Sequence, residues 1–167
     1  MAISYTSLLP SSKIRNATTL TSGTSWTVPT GVTSVNVTRV GGGGGGGGSG
    51  GAGGAGGATT FGTLTSTPGG GGGSRGNYGQ SSDVGTNAVA NSGQGGICQC
   101  GDHGASPNQG QRGNNGYPGT MFTDYLATTP GASITYAIGA GGTAGTAGSG
   151  SVGGAGGSGY VLIEYWV

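Results

Sequence analysis

Apolar positions gather at three places in this chain of 167 residues. In Ser25 to Val40, SWTVPTGVTSVNVTRV, Trp26 and Val28 alternate with polar residues before Pro29, and Val35 and Val37 alternate after Thr30-Gly31. Period-two alternation around a turn signal predicts two strands with a tight connection. In ASITYAIG, Ile134, Tyr136 and Ile138 alternate in the same way. The stretch GYVLIEYWV, Gly159 to Val167, concentrates the β-branched and aromatic residues that suit a pleated surface. No segment carries an amphipathic helical pattern of useful length. The expectation is an all-β frame with few or no α-helices, its strands near 25–40, 133–138 and 159–167.

Glycine fills the intervals between these strands, and it keeps a register. In Gly41 to Ala58, GGGGGGGGSGGAGGAGGA, the residues Ser49, Ala52, Ala55 and Ala58 each follow the last by three. The same step runs through Gly70, Gly73, Gly76, Gly79 and Gly85, with Ser82 as the exception. It recurs through Gly101, Gly104, Gly110, Gly113, Gly116 and Gly119, where Pro107 takes the missing place. A fourth run holds it through Gly139, Gly142, Gly145, Gly148, Gly154 and Gly157, with Ser151 as the gap. A period of three is neither that of an α-helix nor that of a strand, and a flexible linker has no reason to keep one. It matches the left-handed extended helix of polyproline II geometry. A packed bundle of polyglycine II helices is therefore expected, with rods near 41–58, 69–85, 101–119 and 139–157. Each would span roughly 50–60 Å if straight.

Such a rod makes no internal hydrogen bonds, so its N–H and C=O groups must find partners on neighbouring rods. Backbones come close enough only where the facing residues are glycine. A rod surrounded on all sides needs small residues throughout, and a rod on the outside needs one glycine edge. By this rule Gly41 to Ala58 is read as the inner rod. The run Gly101 to Gly119, with Asp102, His103, Gln111, Arg112 and Tyr117, is read as an outer one. Ordering glycine costs roughly 0.5–1 kcal/mol more than ordering alanine, so the rods should order as a block or scarcely at all.

Composition sharpens this picture. Forty-six residues are Gly and only 5% are charged, with a formal net charge of +1. Disordered chains are usually kept soluble by charge, which this one lacks. The basic residues Lys13, Arg15, Arg39, Arg75 and Arg112 are scattered, so no patch for nucleic acid or acidic lipid is expected. No apolar stretch approaches a membrane span, and the start MAISYTSLLPSSK does not read as a secretory leader. Synthesis in a cytoplasm, without disulfide staples, is the expectation. Cys98, Cys100 and His103, with Asp102 beside them, are weak metal-ligand candidates, because their spacing does not match the usual zinc pairs. A local disulfide or two free thiols is the preferred reading there. No Ser-His-Asp grouping is supported, and matches to G-x-G-x-x-G lack a strand-to-helix setting. The chain is expected not to be an enzyme and to need no cofactor.

The order SWTVPTGVTSVNVTRVGGGGGGGG, a variable middle, ITYAIGAGGTAG and GGAGGSGYVLIEYWV resembles the glycine-rich domain of tail-fibre and other adhesion proteins of tailed bacteriophages. It is also similar to the T-even-type long-tail-fibre tip adhesins, which stack polyglycine II helices. The resemblance covers about Thr24 to Val167. The chain is shorter than those adhesins and is read as lacking their longer N-terminal attachment domain. What the resemblance implies is a virion protein of a tail fibre or other exposed appendage that binds a protein or polysaccharide on the host bacterial surface. Stiff rods would hold variable loops that recognise the receptor. Candidate loops are Thr59 to Pro68, Thr86 to Cys100 and Thr120 to Pro130. Receptor-binding candidates are Phe61, Met121, Phe122, Tyr125, Leu126, Tyr117 and His103. Residues 1–23 would join the chain to other fibre or virion proteins, anchored by Ile3, Tyr5, Leu8 and Leu9, and a homotrimer is compatible with a fibre setting. The alternative is a structural virion component, a head decoration or fibre spacer without a specific receptor.

Overall fold

A computed structural model describes residues 13–76, 87–96, 114–147 and 152–167. These residues form an all-β protein with no helix among them. Seven strands follow in chain order. They are β1 (Arg15–Leu20), β2 (Ser25–Thr27), β3 (Ser34–Val40), β4 (Thr60–Phe61), β5 (Met121–Ala127), β6 (Ser133–Ala137) and β7 (Tyr160–Trp166). Four make an antiparallel sheet in the order β1-β7-β3-β5, and three make a second in the order β2-β6-β4.

The two sheets face each other across one core. Val35, Val37, Val161 and Ile163 come from the larger sheet, and Trp26, Phe61 and Tyr136 from the smaller. The alternation in β3 and β7 puts these residues on one face and polar ones on the other, as period two requires. Phe61 sits between two rings, its centroid 6.2 Å from Trp26 and 6.3 Å from Tyr136. The Tyr136 hydroxyl donates to Ser22 O at 2.6 Å, which satisfies its polar end inside the core. Two turns close this end of the sandwich. Val32 N donates to Pro29 O and Ala132 N to Thr129 O, and each turn places a glycine third, Gly31 at φ +81° and Gly131 at φ +78°. A positive φ at that position defines a type II turn, and glycine takes it without strain.

Five of the strands run directly into glycine segments, and these pack side by side. Segment 41–48, which continues β3, lies at the centre and is buried throughout. Its N–H groups leave in a three-residue rotation. Gly41, Gly44 and Gly47 donate to Thr120, Tyr117 and Asn114; Gly42, Gly45 and Gly48 donate to Gly57, Gly54 and Gly51; Gly43 and Gly46 donate to Gly157 and Gly154. Its carbonyls receive in the same rotation. Gly70, Gly73 and Gly76 donate to Gly42, Gly45 and Gly48; Gly142 and Gly145 donate to Gly43 and Gly46; Gly96 donates to Gly44. Six segments thus surround the central one: 51–57, 69–76, 93–96, 114–120, 139–147 and 153–159. They also bond to one another in a closed ring, through pairs such as Gly56 to Gly70, Tyr117 to Gly71, Gly116 to Gly96, Gly157 to Gln94, Gly156 to Gly142 and Gly54 to Thr143. Around the ring, segments parallel and antiparallel to the centre alternate.

Glycine is needed here for room. A Cβ on Gly43 would lie 1.8 Å from Gln94 O, and one on Gly45 would lie 1.9 Å from Thr143 O. Backbone atoms cannot move aside as a side-chain tip could. At the seam between sandwich and bundle, Thr59 is wholly buried. Its Oγ1 donates to Val40 O at 2.7 Å and accepts from Gly139 N at 2.9 Å.

Several expectations are corrected. Run 41–58 is not one inner rod. It turns back where Gly48 N bonds Gly51 O, so that 41–48 is central and 51–57 joins the ring, with Ala52 and Ala55 exposed. Residues 139–147 and 153–159 likewise run antiparallel to each other, so run 139–157 is not a single rod. Segment 93–96, read as loop, belongs to the ring. Arg15–Leu20 is a strand paired with β7, so the folded part begins before residue 24. Thr120 to Pro130 is largely strand β5.

Candidate functional site

The receptor-binding candidates separate on the structure. Phe61 is 0% exposed and belongs to the core, so the sequence-based assignment to a recognition surface is wrong for it. Leu126 is half-buried and packs against the same core. Tyr117, Met121, Phe122 and Tyr125 are exposed, Met121 at 63% and Tyr125 at 69%. His103, Cys98, Cys100, Ile3, Tyr5, Leu8 and Leu9 lie outside the described residues. Among the described residues, no three His, Cys, Asp or Glu side chains come together, and no helix is long and apolar enough to cross a membrane.

The exposed candidates gather along β5, the edge of the larger sheet, and on the segment leading into it. Cross-strand register fixes which face each takes. Val35, Val37 and Arg39 point into the sandwich, so their partners Leu126, Asp124 and Phe122 share the inner face. Met121, Thr123 and Tyr125 share the outer face with Val40, Thr38 and Asn36. On that outer face Val40 stands between Met121 and Tyr160, and Thr38 stands between Thr123 and Leu162. Thr38 Oγ1 and Thr123 Oγ1 are hydrogen-bonded at 2.9 Å. Trp166 extends the same face near β1. The face is apolar and hydroxyl-dotted toward β5, and toward β1 it carries the Arg15–Glu164 ion pair. Its β7 part, Tyr160, Leu162 and Trp166, escaped the sequence reading because that strand was read only as frame.

One charge pair organises the inner side of the edge. Arg39 is 0% exposed. Its Nη2 pairs with Asp124 Oδ2 on β5, and its Nη1 donates to Thr65 O in the chain after β4. Its Nε finds no partner among the described residues. A buried guanidinium is expensive to desolvate and is tolerated only when paired. Here the pairing ties the edge strand and residues 62–66 to β3.

The bundle has a second distinctive region, at its end away from the sandwich. Gly48 to Gly51, Gly76, Asn114 and Thr146 neighbour one another there through bonds such as Gly76 to Gly48, Gly47 to Asn114 and Gly50 to Thr146. The chain leaves the described bundle after 76, 96 and 147 heading away from the sandwich, and segments 114–120 and 153–159 return from that side. Met121, Phe122 and Tyr125 therefore lie on the sandwich side of the bundle, away from the end where Gly76, Gly96 and Ala147 stand.

The chain matches no protein-family model and no curated protein.

Proposed function

We propose that this chain is a bacteriophage tail-fibre or tail-tip adhesin, which binds a receptor on the host bacterial surface through connections displayed at the free end of a polyglycine II bundle. The reading of the segments as polyglycine II rods is supported by the rotation of hydrogen bonds from neighbour to neighbour every three residues, which is the symmetry of that helix.

The observation that carries the functional reading is that the connections after 76, 96 and 147 all leave toward one end of the bundle. A hydrogen-bonded block of backbone is a rigid base, and loops on rigid bases are where recognition residues concentrate. These connections hold most of the varied side chains between the glycines, including Tyr78, Gln80, Asp102, His103 and Arg112. Such residues offer contact area and hydrogen bonding. The sandwich at the other end would then face the rest of the particle.

The test is competition. Purified protein added to host cells should bind them and should slow adsorption of the phage that carries it. A chain whose connection 97–113 is replaced by a Gly/Ser linker should keep its melting temperature and lose at least tenfold in cell binding. Absence of any cell binding by the intact protein would instead favour a structural virion component.

A further inference from the structure

Among the described residues no strand pairs with the outer edge of β5, and this is the strongest unexplained feature of the sandwich. Edge strands present unpaired N–H and C=O groups and are normally blunted by Lys, Pro, bulges or a covering element. β5 has seven residues, MFTDYLA, all exposed except the half-buried Leu126. It contains no Pro and no Lys. Its single charge, Asp124, is drawn to the inner side by the ion pair with buried Arg39, so it does not guard the edge. The opposite edge differs, because Lys13 and Arg15 stand at the start of β1.

We infer that β5 pairs with β5 of a second copy of this chain, in an antiparallel arrangement about a two-fold axis at Thr123. The backbone specifies which groups are free. Gly41 N donates to Thr120 O and Thr128 N to Thr33 O, one at each end of the β3–β5 pair. Hydrogen-bonded positions alternate in an antiparallel ladder. Phe122, Asp124 and Leu126 therefore turn their amides toward β3, and Met121, Thr123, Tyr125 and Ala127 turn theirs outward. Two-fold pairing must use that outward set, which leaves three registers near the strand's middle, with the axis at Thr123, Asp124 or Tyr125. An axis at Tyr125 would carry Met121 past the end of the partner strand, opposite position 129, and lose its pairing with Tyr125. An axis at Asp124 would set two carboxylates directly opposite each other, which is destabilising. An axis at Thr123 sets Thr123 against Thr123 and Met121 against Tyr125 twice on the outer face, and Phe122 against Asp124 on the inner one. Hydroxyl pairs and aromatic–apolar pairs are favourable cross-strand neighbours, and a self-complementary patch is what a two-fold interface requires. With a formal net charge of +1, little long-range repulsion opposes the association.

The proposal is tested on the intact chain by sedimentation and light scattering across a wide concentration range. A dimer is expected. Tyr125→Lys should raise its dissociation constant at least tenfold with little change in melting temperature, and Thr123→Pro should do the same by removing an outward donor. Thr123→Cys gives the register. In a hydrogen-bonded pair the two Cα atoms lie about 5.5 Å apart, within disulfide range, so oxidation should link two copies through position 123, identifiable by peptide mapping. Ala127→Cys should not link to itself. A monomer at all concentrations would overturn the inference. So would a trimer or larger ring, which would point to a head-to-tail contact, and so would a dimer that Tyr125→Lys leaves intact.

Discussion

At the scale of single residues, the decisive quantity is the distance from a missing Cβ to the next backbone. Gly45 and Ala55 illustrate the contrast, since both belong to the same glycine run. A methyl on Gly45 would meet Thr143 O at 1.9 Å, whereas Ala55 already points into solvent. Gly45→Ala is expected to destabilise by about 3 kcal/mol or more, because backbone on the facing segment cannot yield. Ala55→Ser should change stability by no more than about 0.5 kcal/mol. Thermal melts of the two variants decide the matter. Phe61 is the other residue-scale lesson. It and Leu64 are the two large apolar side chains in TTFGTLTSTP, and the surrounding Thr, Ser, Gly and Pro make the stretch read as loop. Its partners Trp26 and Tyr136 are remote in sequence, so nothing local reveals its burial.

At the scale of elements, the ion pair that crosses from β3 to β5 gives the sharpest expectation. Asp124→Asn removes the carboxylate paired with a fully buried guanidinium. Breaking a buried pair costs about 3–5 kcal/mol, and partial solvent access at Asp124 puts this case near the lower end. Arg39→Met combined with Asp124→Asn should restore much of that loss, since an apolar stem is well accommodated where an unpaired charge is not. Denaturant unfolding of the single and double variants measures both steps. The strands that sequence patterning identified, β2, β3, β6 and β7, are those with one buried face, where alternation is enforced. β5 and β1 left no such trace. MFTDYLA is exposed on both sides, and RNATTL carries one large apolar residue, Leu20. The candidate residues Met121, Phe122 and Tyr125 stood out for their chemistry, although the strand bearing them did not.

At the scale of the whole molecule, sandwich and bundle are one body, because β3 and β6 continue into glycine segments and β4, β5 and β7 grow out of them. A single cooperative unfolding transition is expected, with the amides of Gly41 to Gly48 exchanging most slowly of all. Hydrogen exchange read by mass spectrometry or NMR tests this. Two transitions, or fast exchange along 41–48, would show that the bundle does not share the stability of the core. The three-residue step in the sequence is matched by a three-residue rotation of backbone bonds among the packed glycine segments. It could not reveal where they fold back, because a tight reversal such as Gly48 to Gly51 keeps the same spacing and the same small residues.

The rotation of bonds around segment 41–48 also limits how such a chain can diverge. Adding or deleting one residue within a glycine segment would shift every following position by one step of that rotation, sending alanines and threonines toward the packed centre. Lengths inside the bundle can therefore drift only by whole triplets, and in step across neighbouring segments. Related genes should accordingly show insertions and deletions in multiples of three residues wherever these fall inside the bundle.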